Sequence, residues 1–275
     1  MVNPLKSGVA IAALALFVAV GTAGPGVAKT AAAPQATQAD GIPRTRDGHP
    51  DFSGFWETSS EADYDLEPHA GRRDAPPSQG VIAGDHTPYG GHIPYLPDAL
   101  AKRKANFENR GTNDPRLKCY VLGEPRSVYY QAPFQILQRP EGLTLVHQFG
   151  NQVRDIHTNG SLHPDDPDPE LWLGDSRGHW DGDTLVVDIA GFSDDTWLDR
   201  SGNYHSEKLH VVERWTFLNA NTIAYSATLD DPKVYSRPWT IAIELNRREK
   251  NFQLIEDYCF TLEYADHYPH KDSRP

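Results

Sequence analysis

The sequence predicts an all-β fold: an antiparallel up-and-down barrel with one short helix and a long N-terminal excursion. Three observations carry this. Between Phe134 and Phe260, short runs rich in Val, Ile, Leu, Thr and aromatics recur at regular spacing between turn residues. One stretch alone has helix start signals. The chain shows neither an internal repeat nor a heptad pattern, and regular short strands with one helix argue for a barrel or sandwich.

The elements follow in order. Met1–Lys6 carries one positive charge, Gly8–Val20 is apolar but short for a membrane span, and Gly26-Val27-Ala28 fits a small-x-small cleavage site, so residues 1–28 are expected to be a secretory signal peptide. Residues 29–40, rich in Ala, Gln, Thr and Pro, read as a disordered leader. A single barrel domain is expected over 41–266 and a polar tail over 267–275. Within the domain, Gly41–Ser53 is an ordered arm and Phe55–Thr58 a first strand. Ser59–Gly91, full of Asp, Gly and Pro, is expected to run over the surface. The helix lies in Pro94–Asn109, started by Pro97 and Asp98 and ended by Gly111. The later strands are expected at Phe134–Arg139, Leu143–Phe149, Gln152–His157, Thr184–Ile189, Leu209–Leu218, Thr222–Leu229, Thr240–Leu245 and Phe252–Phe260.

The formal charge is −12, and loss of Lys6 with the signal peptide makes it −13. Such a surface repels nucleic acid and anionic lipid, so neither is an expected partner. With export, a periplasmic or secreted location follows. Cys119 and Cys259 are the only cysteines, and in an oxidising compartment an even pair is most simply a disulfide. It would close a loop of about 140 residues, a constraint of roughly 4–5 kcal/mol in the chain-entropy picture.

Strand alternation sorts the side chains by face. Leu143, Leu145, His147 and Phe149 share one face, Arg154 and Ile156 another, and Leu209, Val211, Glu213, Trp215 and Phe217 a third. In the last expected strand Leu254, Glu256, Tyr258 and Phe260 align. Ionisable groups on apolar faces have two readings: a ligand cavity whose buried carboxylic acid exchanges protons near neutral pH, or a buried Glu–Arg pair that fixes strand register.

The stretch Trp172–Trp215 holds four Trp residues and a polar loop, Trp197–Ser206. Asp199 could orient His205 as a base or acid; the same residues also cap loops. Ser206 lacks the Gly-x-Ser-x-Gly elbow of a hydrolase nucleophile. Six of the twelve His lie between His147 and His210. His157 and His163 flank a turn, and His210-Val-Val-Glu213 on a strand puts its two ends on opposite faces, so no metal site is expected. Gly174, Gly178 and Gly182 are not followed by Lys-Ser/Thr or a helix start, so no phosphate loop and no cofactor is expected. Asp181-Gly182-Asp183 reads as a hairpin turn.

Two resemblances rest on quoted residues. Asp114-Pro115, Cys119, Pro125-Arg126, Arg154 and Ile156, Gly174–Val187 (Gly-Asp-Ser-x-Gly-x-Trp-x-Gly-Asp-Thr-Leu-Val-Val), Gly191-Phe192, His205-Ser206 and Glu213–Trp215 resemble the pattern of an exported bacterial family of mostly unassigned function. The chain departs from it at His157-Thr-Asn-Gly160, where that family has Tyr-Thr-Asp-Gly. Asp51-Phe-Ser-Gly-Phe-Trp56 is similar to the Gly-x-Trp opening of lipocalin-like (calycin) barrels, which implies a closed barrel holding a small apolar ligand. The resulting expectation is an exported enzyme doing lyase-, isomerase- or cyclase-type proton transfer on a small, mostly apolar or aromatic molecule. His205 with Asp199, and Glu213, would move protons. Arg154 or Arg126 would hold an anionic group, and His147, Trp180, Trp197, Trp215 and Tyr258 would complete the pocket. The competing expectation is a non-catalytic lipocalin-like carrier.

Overall fold

Nine strands close into a barrel in the computed structural model, which describes residues 36–37, 41–83, 90–165 and 170–257. The expected signal peptide, the polar tail, Tyr258 and Cys259 lie outside the described residues, and the Cys119–Cys259 pairing with them. Two short strands, β1 (Ala36–Thr37) and β2 (Pro43–Arg44), pair with each other. The barrel comprises β3 (Gly54–Thr58), β4 (Phe134–Arg139), β5 (Gly142–His147), β6 (Val153–His157), β7 (Asp175–Asp181), β8 (Thr184–Ala190), β9 (His210–Asn219), β10 (Thr222–Asp230) and β11 (Trp239–Arg247). The helices are α1 (Pro97–Glu108), α2 (Arg110–Asn113) and α3 (Arg126–Tyr129). Among the described residues, no helix is long and apolar enough to cross a membrane.

Strands neighbour one another in chain order around the ring, and β11 returns to pair with β3. Every seam is antiparallel except β6–β7, which is parallel and only two residue pairs long, Ile156↔Ser176 and His157↔Arg177. An all-antiparallel up-and-down ring was expected; the sheet is mixed instead. The reason is arithmetic: nine strands cannot alternate direction and close, so one neighbouring pair must run the same way. That pair is β6–β7.

Strand formation follows alternation. β6 buries Arg154 and Ile156 and exposes Val153, Asp155 and His157; β9 buries Val211, Glu213, Trp215 and Phe217. Inside, Trp56, Phe134, Leu145, Val187, Tyr225 and Ile241 are at most 1% exposed. Each large apolar side chain buried this way contributes roughly 1.5–3 kcal/mol. Glycine at the first of the two residues turning β7 into β8, Gly182 at φ 59°, meets the positive φ such a tight hairpin needs.

Three expectations about elements are corrected. Residues 252–257 form no strand, and the ninth strand is β7, Asp-Ser-Arg-Gly-His-Trp-Asp. Its inward positions are small because they meet others: a Cβ on Gly178 would come within 3.0 Å of Ile156 and Thr158. The segment after β3 is no surface excursion either. Ala62, Asp63, Asp65, Leu66, Val81 and Ile82 are buried, and Ile82 bridges to Ile241 of β11. The helix begins at Pro97 as expected, where a missing N–H costs nothing, with Asp98 in its first turn. Gly111 does not end it but lies inside α2, beyond a break at Asn109.

The barrel has a turn end and a loop end. At the turn end the arm before β3 covers the opening: Arg44 holds Asp183 of the β7–β8 turn with two bonds of 2.6 Å, the His49 ring stacks on Trp180 at 4.5 Å, and Phe52 stacks on Phe217 at 4.7 Å. At the loop end lie the segments 59–83, 90–133, 191–209 and 231–238, with α3 fully buried among them.

Candidate functional site

Inside the loop end, one arginine serves two carboxylates. Arg154 from β6 binds Glu213 from β9 with both arms, Nη1 to Oε1 at 3.1 Å and Nη2 to Oε2 at 2.8 Å, and its Nε donates to Ser176 Oγ of β7 at 3.0 Å. Its Nη1 is also 3.3 Å from Oε2 of Glu124, which enters from the turn before α3. Tyr225 donates to Glu213 Oε1 at 2.7 Å and Trp215 Nε1 to Oε2 at 3.2 Å. Ser127 donates to Glu124 Oε1, and His147 closes the group from β5. Arg154, Glu124 and Glu213 side chains are at most 1% exposed.

Electrostatics differentiate the members. Glu213 has every acceptor position occupied by a donor, which locks it in place as the counter-ion of Arg154. Burial opposes the charge on Arg154, but Glu124 and Glu213 hold its guanidinium well above the usual range. Glu124 is the second carboxylate on one cation. Burial, and then the charge of Glu213, push its carboxyl up to about 7 against the pull of Arg154. Burial and the neighbouring Arg154 press the His147 imidazole down to about 3, so it is neutral. Two buried atoms here receive no hydrogen bond from the protein: Glu124 Oε2 and His147 Nε2. Buried polar atoms are nearly always bonded by protein or by ordered water, and Glu124 Oε2 keeps its 3.3 Å ion pair with Arg154.

The sequence places Glu213, Arg154, His147 and Trp215 on inner faces, and the fold brings these four together. The remaining candidates go elsewhere. Asp199 and His205 do not form a dyad. The carboxylate of Asp199 receives Leu66 N, Ser201 N, Asn203 N and Asn203 Nδ2 at 2.6–3.2 Å. The ring of His205 is bonded by Thr196 Oγ1 at 2.8 Å and the Ser206 carbonyl at 2.9 Å. Asp199 is thus the organiser of its loop, the capping alternative for these residue types. Burial and the charge of Asp65 push its carboxyl up to about 8, and burial lowers the His205 imidazole. Ser206 is held by Asp231 through both N and Oγ.

Arg126 is not free for an anionic substrate. It donates to Asp63 at 2.8 Å, to both oxygens of Asp114 at 3.2 Å and to the Trp197 carbonyl at 3.4 Å. Arg154 likewise has its donors engaged. The three tryptophans do not share a wall: Trp215 lies in the cluster, Trp180 stacks at the turn end, and Trp197 sits in the 191–209 loop. The residue sequence reasoning missed is Glu124. Its signal was the Gly123-Glu124-Pro125 turn before Arg126, a tight turn that can dip a side chain into a barrel. Gly123 packs so closely that a Cβ would stand 2.6 Å from Thr196 Oγ1.

Among the described residues, no group of three or more His, Cys, Asp or Glu is arranged to hold a metal ion. A shallow recess on the outer face of β9–β11, lined by Arg214, Thr216, Ala224, Ser226, Ala242 and Glu244, contains none of these candidates. No protein-family model matches the chain, and no curated protein matches it.

Proposed function

We propose that this chain is an exported β-barrel enzyme that transfers protons on a small, mostly apolar or aromatic molecule, with Glu124 as the acid–base group. The observation that carries this is Glu124 itself: a fully buried carboxyl at about 7, one of whose oxygens is held only by a 3.3 Å ion pair to Arg154, beside a locked Arg154–Glu213 pair. A group half-protonated near neutral pH can both take and give a proton. His147 Nε2, neutral and unpaired, is a hydrogen-bonding group to position the substrate. Glu213 and Arg154 are positioning residues that set the proton affinity of Glu124. Lyase, isomerase or cyclase chemistry fits better than hydrolysis, because Ser206 lacks a nucleophile elbow and is held by Asp231.

The test is mass spectrometry of an extract of the native host after incubation with the purified protein and with its Glu124→Gln, Glu213→Gln and His205→Ala variants. Conversion by the wild type, lost in Glu124→Gln and weakened in Glu213→Gln, supports the reading. Full turnover in Glu124→Gln refutes the role of Glu124, and full turnover in His205→Ala removes His205 from the chemistry. The second reading is a lipocalin-like carrier. It is favoured by the apolar barrel lining and by Gly54-Phe-Trp56 at its start, where the Trp56 ring is buried and packed 4.1 Å under the Arg247 guanidinium. A carrier binds a molecule from the extract, retains it in Glu124→Gln, and releases it unchanged.

A further inference from the structure

Two residues that face each other where β5 passes into β6 each keep one buried nitrogen without a protein partner. The backbone N–H of His147, the last residue of β5, donates at 2.9 Å to the carbonyl of Gln152, the residue before β6, which sets the two directly opposite each other. Opposite residues of an antiparallel pair put their side chains on one face, with Cβ atoms about 4.5–5.5 Å apart. That face is the barrel interior: His147 is 3% and Gln152 5% exposed. Neither His147 Nε2 nor Gln152 Nε2 is bonded within the protein.

The two nitrogens have opposite polarity. Gln152 Oε1 accepts from Leu122 N at 3.2 Å, which fixes the amide with its Nε2 as the remaining donor. The backbone carbonyl of Ser127 accepts from the His147 ring. Because Nε2 has no protein partner, that bond falls to Nδ1, which carries the hydrogen, and the neutral ring presents a lone pair at Nε2. A donor and an acceptor side by side match one group, a hydroxyl, which gives its hydrogen to the imidazole and accepts the amide N–H. A carbonyl, carboxylate or ether serves only the amide, and an ammonium only the ring. Both members are tied to the turn that presents Glu124: Leu122 lies two residues before it, and Ser127 Oγ donates to its Oε1. The Phe134 ring, 5.2 Å from the His147 ring and edge-on to Trp215 at 6.4 Å, supplies an apolar flank for the rest of a bound molecule. We propose that His147 and Gln152 form a hydroxyl-binding subsite, and that the molecule taken into the barrel is an alcohol or phenol held there by its hydroxyl. The subsite rests on the reading of the interior as a small-molecule site, and not on proton transfer by Glu124.

Titration calorimetry of the whole protein with phenol, anisole and toluene tests this. Phenol is expected to bind about tenfold more tightly than toluene, the effect of buried hydrogen bonds to neutral partners. Anisole accepts but does not donate, and is expected to bind no better than toluene. Gln152→Met and His147→Leu are each expected to bind all three alike; the wild-type series decides the matter by itself where a variant does not fold. Equal affinities for phenol and toluene in the wild type, or no binding of any of the three, leave the pair to an ordered water and overturn the proposal. So does a preference for phenol that persists in folded Gln152→Met and His147→Leu. A preference for phenol in a chain that converts nothing in the host extract keeps the subsite and refutes the enzyme reading; conversion of the extract by a chain that does not prefer phenol does the reverse.

Discussion

Replacing Glu124 by Gln removes one titrating group from the barrel interior and leaves its shape nearly unchanged. The carboxyl of Glu124 moves from an ordinary 4.5 in the unfolded chain to about 7 in the fold. That interval corresponds to about 3 kcal/mol, at about 1.4 kcal/mol per pKa unit. Because the folded value is the higher one, the associated stability is fully present below about pH 4.5 and is lost as pH rises towards 7. Gln imitates the protonated acid at every pH. The stability of Glu124→Gln minus that of the wild type is therefore expected to be flat at acid pH, to rise by about 3 kcal/mol between pH 4.5 and 7, and to be flat again above. Asp199, His147 and the surface groups titrate in both proteins and cancel in the difference. Urea titrations at several pH values measure it, and with a slope of roughly 2–3 kcal/mol/M for a domain of this size the midpoint separation grows by about 1 M. A difference that does not depend on pH, or that shrinks as pH rises, refutes the placement of Glu124 as the surplus carboxylate on Arg154.

Other outcomes follow from the same geometry. Arg154→Met strands Glu213 and Glu124 without their cation and is expected to lower stability by about 3–5 kcal/mol in urea, a loss partly recovered by adding Glu213→Leu. His147, buried neutral with a value near 3, contributes stability above its unfolded value of 6.5 that is lost as pH falls towards 3; His147→Gln is expected to flatten the acid limb of the wild-type pH–stability curve. Asp199→Ala removes the acceptor of four N–H groups and is expected to cost about 2–4 kcal/mol, read by thermal or urea unfolding. Gly123→Ala, at φ 74° and 2.6 Å from Thr196 Oγ1, is expected to cost about 1–3 kcal/mol.

The inner faces of β5, β6 and β9 were legible because each strand alternates with period two and carries one ionisable group among apolar ones. That alone put His147, Arg154, Glu213 and Trp215 on the inside. β7 was not legible: its inner positions are Ser176 and Gly178, chosen by what they face, namely Arg154 and the Ile156 side chain, rather than by hydrophobicity. A polar strand of this kind looks like a loop from its own residues. The burial of Asp63 is not legible from its own segment because its partners, Arg126 and Arg200, lie 63 and 137 residues away in the chain. Glu124 escaped for the same reason, since its value depends on a cation 30 residues downstream. The count of nine strands did contain the parallel seam, because an odd ring cannot alternate.

The seam that closes the ring also orders events in time. Trp56 of β3 pairs with Arg247 of β11, 191 residues later, and β3 makes only three residue pairs on each side. A chain emerging from the N-terminus thus pairs one edge of its first barrel strand with β4 early but leaves the other edge unmatched until nearly all of the rest has been made. Such distant pairing slows folding, because the long loop must be ordered before the contact repays it. The unpaired outer edge of β3 is meanwhile open to other chains. The rate of refolding should therefore respond more to changes at Trp56 and Arg247 than to changes of equal cost within the β9–β10 hairpin.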